Sequence, residues 1–226
     1  MGRSYRISLP GLAASSLVLV TLALALVFFV VPNDADQGFS QRIFYFHVSI
    51  AFTAYLCFAV GAWKGLLHLW KRDPHADLES YVAIHQGVIF GSLVLLTGSI
   101  WAKISWGHWW LWSENQLVLF LVLFLFYAAY FMLRFSVEPG PQRANLSAVY
   151  ALFGVVLIPV SFLAIRLAQH FIHPVVFTRN VGSNLPGSML ATYCIAQAAL
   201  LVLAYTLYRV ELSGKWLDLR LRELRA

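Results

Sequence analysis

Charge is scarce in this chain. Only 12% of its 226 residues are Asp, Glu, Lys or Arg, and 60% are hydrophobic. A soluble domain carries about 25% charged residues. The charges also fall in blocks that leave long uncharged runs, which excludes a water-soluble globular chain. Cysteine is scarcer still. Cys57 and Cys194 each sit inside an apolar run and no C-x-x-C occurs, so a disulfide framework and dithiol chemistry are excluded, and both read as packing residues. No Gly-rich phosphate loop, no paired carboxylates inside an apolar run and no nucleophile–base spacing is present. The chain therefore does not read as an enzyme of acid–base, covalent or nucleotide chemistry. Its net charge of +6 is divided among segment ends and a tail. That pattern fits a lipid bilayer, and no nucleic-acid partner is expected.

What the chain has in quantity is apolar runs. Six of them are long enough for helices crossing about 30 Å of hydrocarbon, at about 20 residues each. They lie at about 11–32, 43–66, 81–101, 116–134, 145–166 and 187–208. The reading is an all-α integral membrane protein, with residues 1–226 forming a single transmembrane domain. Arg3 and Arg6 precede the first run as they would in a signal peptide. That run is too long for one and lacks an A-x-A-like site, so it is kept as a span. The basic tail, 209–226, has Trp216, Leu217, Leu219, Leu221 and Leu224 between charges and is expected to lie along the membrane surface as a helix. Six spans put both termini on one side. With the termini inside, 12 Lys and Arg residues fall on inner segments and 4 on outer ones. The excess of inner positive charge predicts cytoplasmic termini in a bacterial inner (cytoplasmic) membrane protein.

This orientation turns the segment 102–115 into an external loop between spans three and four. Five of the eight tryptophans lie within 101–114. Tryptophan offers a flat apolar face with one N–H donor, so such a loop serves either as an interfacial anchor or as a platform for a flat ligand. Of the seven histidines, His47, His108, His170 and His173 fall on the outer side, whereas His68, His75 and His85 fall at or near the inner one. His47 opens the second span and His173 follows the fifth. Two imidazoles, an aromatic shelf and the outer cations Arg42, Lys103, Arg166 and Arg179 suit haem: nitrogens for iron, rings for the porphyrin face and cations for the propionates.

The stretch Trp106-Gly107-His108-Trp109-Trp110-Leu111-Trp112 resembles the W-G-x-W-W-x-W-D signature of the haem-handling proteins of cytochrome c biogenesis. Arg42-Ile43-Phe44-Tyr45-Phe46-His47-Val48 resembles the R-I-x-Y-x-H-V segment of the haem exporter protein C family, also called cytochrome c maturation protein C. Haem lyase subunits share the tryptophan signature but are much longer, and the short length favours the protein C branch. The resemblance covers most of the chain. It implies that His47 and a second histidine are axial ligands of a non-covalent haem b. Ile172-His173-Pro174 matches the second position better than Gln169-His170, and His170 stays the alternative. It also implies that Trp106, Trp109, Trp110 and Trp112 cover the haem. The protein would hand haem to a periplasmic chaperone, maturation protein E. It would work beside the ATP-binding-cassette subunits, maturation proteins A and B, and a small one-helix subunit, maturation protein D.

One departure stands out. The signature's Asp is Ser113 here, and Glu114 brings a carboxylate one position later. On a helix that rotates it by about 100°. Glu114 and His108 are thus candidates for supporting the site or touching the partner. Two rival readings remain in view: a b-type electron-transfer cytochrome, which needs inner histidines such as His68 and His85 to form a second site, and a transporter subunit without cofactor, in which the tryptophans only anchor the loop.

Overall fold

The computed structural model describes residues 8–34, 37–167, 177–178, 182–183 and 185–225, with side chains of 164–167, 177–178 and 182–183 outside that description. Helix α1 (Leu9–Ala25) begins where the Ser8 hydroxyl accepts the Gly11 N–H at 3.3 Å, with Pro10 in its first turn. It continues into a π-helical turn, Leu26–Val30. After a short 3-10 turn, α2 (Arg42–Lys71) and α3 (Pro74–Trp106) form a tight hairpin, and Asp73 caps α3 by accepting the His75 N–H at 2.9 Å. Then come α4 (Asn115–Ser136), α5 (Pro141–Val155), α6 (Leu157–Leu167) and α7 (Gly187–Arg225). Six helical segments, α5 and α6 together counting as one, are long and apolar enough to cross a membrane. The protein is an all-α integral membrane protein. Its one described β-ladder pairs Phe177–Thr178 with Gly182–Ser183, two residues on each side.

Three features depart from the reading of the sequence. The fifth span breaks between α5 and α6 at Val156. Pro159 has no N–H for the Val155 carbonyl, and its ring crowds the preceding turn. Helix α3 runs on through Trp106, so the loop proper is 107–114. And the basic tail is not a separate surface helix, because α7 continues to Arg225 without a break. At 39 residues it is about 58 Å long, far more than the apolar layer. Two i,i+4 ion pairs carry it onward, Glu211 with Lys215 at 3.6 Å and Asp218 with Arg222 at 2.8 Å.

Helix α2 is the axis of the packing, with Tyr45, Ser49, Thr53, Ala54, Phe58 and Ala62 fully or almost fully buried. It lies against α3, α5 and α7, while α1 packs on α7. The helices meet through small residues and aromatic rings, as close packing in lipid requires. The Phe58 ring lies parallel to Tyr127 at 4.1 Å, and Gly87 of α3 leaves room for Phe58. Ser16 and Thr206 share a buried hydrogen bond of 2.7 Å between α1 and α7. The outward surface is apolar: Phe29, Trp70 and Met132 are 87%, 77% and 73% exposed. Such exposure is ordinary only against lipid.

The two ends differ in kind. At one end polar pairs clamp the helices: Arg134 with Asp77 and Lys64 with Glu79 at 2.6 Å as ion pairs, and His85 Nδ1 2.9 Å from the Glu211 carboxylate. Gln86 also donates to Glu211 at 2.8 Å, so α3 holds the far part of α7 through two neighbouring side chains. At the other end lie the tryptophan loop and His47.

Candidate haem site at the tryptophan-rich end

Gly107 ends α3. Its φ of +78° lies in the left-handed region, and its N–H reaches back to the Lys103 carbonyl at 3.2 Å. The Lys103 ammonium in turn donates to the Gly107 carbonyl at 2.9 Å. Trp106 is therefore the last residue of a helix, while Trp109, Trp110 and Trp112 belong to the loop. Trp106 packs edge-on against Trp101 at 5.0 Å, and Trp110 packs edge-on against Trp112 at 5.8 Å. Trp109 and Trp112 are 60% and 72% exposed, and His108 is exposed beside them. The Trp110 Nε1 donor is enclosed, with no acceptor within hydrogen-bonding reach among the described residues.

The loop closes on Glu114, whose carbonyl accepts the N–H groups of Leu117 and Val118 and so starts α4. Glu114 has an extended backbone and sits outside the helix. Its carboxylate is thus placed by the entry turn of α4, and the rotation expected for a helical neighbour of Ser113 does not apply. The residue is buried at 6% exposure.

His47 stands in the second turn of α2, half-buried against α3. Its Nδ1 is 2.9 Å from the Thr97 hydroxyl oxygen. Its ring lies over Gly98, where an added Cβ would come within 2.9 Å of Cε1. One turn further along the same face is Trp101, which donates its Nε1 to Gln37 at 3.1 Å. A single face of α3 thus links His47 to the tryptophan cluster. Reading the sequence counted Trp101 in the tryptophan cluster but missed Thr97, Gly98 and Gln37 beside it and His47. The available signal was the Thr97-Gly98 pair interrupting an otherwise aliphatic stretch.

The predicted cations divide. Arg42 gives Nε to the Val27 carbonyl at 2.9 Å, Nη2 to the Val31 carbonyl at 3.3 Å and Nη1 to the Asn33 side chain, and it lies over the Phe39 ring at 4.5 Å. Its guanidinium ties off the π-helical end of α1, which gives it a structural task. Lys103 is engaged at the end of α3. Arg166 lies in α6 but its side chain is outside the described part, as are His170, His173 and Arg179.

His68 and His85, expected on the inner side, face different elements. His68 donates Nδ1 to the Asp73 carbonyl at 2.8 Å in the α2–α3 turn, while His85 meets Glu211 of α7. The b-type cytochrome reading finds no facing pair in these contacts. Among the described residues no group of three or more His, Cys, Asp or Glu gathers to hold a bare metal ion. The tryptophan-rich end instead fits a flat apolar macrocycle carrying its own iron. It has an imidazole hydrogen-bonded through Nδ1 to Thr97, exposed indole faces and an enclosed donor lacking an acceptor among the described residues.

The family model described as Heme exporter protein C matches residues 3–225. Heme exporter protein C of Bradyrhizobium diazoefficiens is 31% identical over 219 residues, which is 96% of this chain and 81% of that protein. The proteins of the same name from Escherichia coli K12 and Paracoccus denitrificans are 33% and 32% identical. Those matches cover 67% and 64% of this chain and 62% and 60% of the relatives' own lengths. With nearly its whole length matched, the chain belongs to the Heme exporter protein C family, multi-pass membrane proteins that handle haem for cytochrome c maturation.

Proposed function

We propose that this protein holds haem b non-covalently at its outer end and passes it to a periplasmic haem chaperone. His47 is one axial ligand and His173 the other, with His170 the competitor for the second position. The observation that supports this most is the shared face of α3, which joins His47 through Thr97 and Gly98 to Trp101 and the exposed tryptophans. Trp106, Trp109, Trp110 and Trp112 shield the porphyrin. Lys103, Arg166 and Arg179 remain propionate candidates, and Arg42 is a weaker one because its donors already serve α1. His108 and Glu114 border the loop on the side a chaperone would approach.

Two imidazoles fill both axial positions, so the role is delivery and not catalysis at iron. Handover requires one ligand to leave. His47 stands on the central helix α2, so the second histidine is the one to release. The excess of Lys and Arg on inner segments supports cytoplasmic termini in a bacterial inner membrane. Maturation proteins A, B and D would be the membrane partners, and maturation protein E the recipient.

Absorption spectra of the purified protein test this, recorded as isolated and after dithionite. A six-coordinate low-spin spectrum should persist in His170→Ala and be lost in His47→Ala and His173→Ala. Collapse in His170→Ala alone would move the second ligand to His170. A colourless wild type prepared with haem and the chaperone present would sink the haem reading.

A further inference from the structure

We infer that Thr97 is a positioning residue that sets the tautomer and ring plane of His47, leaving Nε2 as the nitrogen that bears the lone pair. The inference rests on His47 being a haem ligand, as proposed above. Thr97 has one hydroxyl proton. Its Oγ1 lies 2.7 Å from the Leu93 carbonyl, one turn back in α3. A carbonyl cannot donate, so this short contact takes the Thr97 proton. The remaining contact, 2.9 Å to His47 Nδ1, then has only one source of hydrogen, the imidazole. His47 is therefore an Nδ1–H donor, so in the neutral ring the lone pair falls to Nε2.

That is the form an Nε2 iron ligand needs before it meets iron. The bond on the far nitrogen fixes ring orientation and raises the basicity of the ligating one. Gly98 completes the seat. With no side chain there, the imidazole edge rests against the α3 backbone, and an added methyl group would lie 2.9 Å from Cε1. The ring is thus held by a hydrogen bond at one edge and by a helix surface beneath it. Both come from adjacent residues of α3, the helix that also leads to Trp101. Since Thr97 and Gly98 are adjacent residues inside a long helix, the seat exists without haem.

Two measurements test this. The first uses the haem-free wild type labelled with 15N-histidine, with the His47 signals assigned by their loss in His47→Ala. The expected result is a protonated Nδ1 and an unprotonated Nε2; the opposite tautomer would overturn the inference. The second uses haem-loaded wild type, Thr97→Val, Thr97→Ser and His47→Ala. Removing a partner of this kind typically weakens metal binding 10- to 100-fold. Thr97→Val should release haem to an apomyoglobin acceptor at least about tenfold faster and shift the ferric low-spin resonance signals, and Thr97→Ser should restore both. If Thr97→Val matches wild type while His47→Ala loses the low-spin species, the positioning role is wrong and the ligand reading stands. If His47→Ala keeps the low-spin species unchanged, both are wrong. The tautomer measurement needs no variant to fold beyond the one used for assignment.

Discussion

Arg134 grips Asp77 through both terminal nitrogens, each 2.7 Å from a carboxylate oxygen, and so joins the last turn of α4 to the first turn of α3. The same guanidinium donates to the Tyr130 hydroxyl at 3.3 Å and lies 4.9 Å from the Tyr81 ring centre. Both side chains are largely withdrawn from solvent, at 6% and 17% exposure. A planar fork facing a carboxylate is the geometry that lysine cannot reproduce.

Removing one partner of a buried pair leaves an uncompensated charge, and costs roughly 3 kcal/mol. Arg134→Met should therefore lower stability in detergent by about that amount. Asp77→Leu added to it should recover part of the loss, because the double variant buries no lone charge. Thermal unfolding of the two single variants and the double variant gives the coupling. Additive losses would show that the two residues act independently, against the pairing drawn here.

Arg42 offers a sharper test, because two roles compete for it. The sequence places it beside His47 in a motif, which suggests a propionate contact. The structure shows its guanidinium closing the loosened end of α1 through Val27, Val31 and Asn33. In a π-helical turn the i→i−4 ladder is broken, and stray carbonyls need donors. Arg42→Lys keeps the charge but loses the fork, and should destabilise the haem-free protein by about 2 kcal/mol. Unfolding of haem-free wild type and variant decides the matter. An unchanged haem-free stability, with haem affinity reduced, would return Arg42 to the propionates.

How far the sequence reaches is visible in these same residues. The spans were legible because lipid demands long apolar helices, and 12% charge leaves no other solvent for them. His47 and the tryptophans were legible as a motif. Thr97 was not, since a threonine in an apolar helix ordinarily bonds its own backbone, and Thr97 does that as well. The end of α3 was misplaced because Lys103, Ile104 and Ser105 continue a helix readily, and only Gly107 carries the stop. The break at Val156 had its signal in Pro159, but the surrounding apolar run outweighed it. The role of Arg42 depends on carbonyls 11 and 15 residues away, brought near by the turn from α1 to α2. No local pattern encodes such a contact.

Gly107 sets where the helical tryptophans end and the loop tryptophans begin. Its φ of +78° costs a glycine nothing, whereas a side chain there meets its own backbone. Nothing lies within 4 Å of a Cβ built at this position, so crowding by neighbours plays no part and the penalty is conformational alone. Gly107→Ala should destabilise by about 1 kcal/mol, and Gly107→Asn by less, because Asn tolerates the left-handed region. Gly107→Val should cost the most, as a β-branched residue is least compatible with that backbone. The same order should appear in haem retention. Each step toward a helical residue 107 would extend α3 and turn Trp109 and Trp110 away from their present places. Thermal unfolding and haem content measured on the three variants check both orders. Haem content unaffected across the series, with stability falling as described, would detach the loop's shape from haem binding and leave the tryptophans as an anchor.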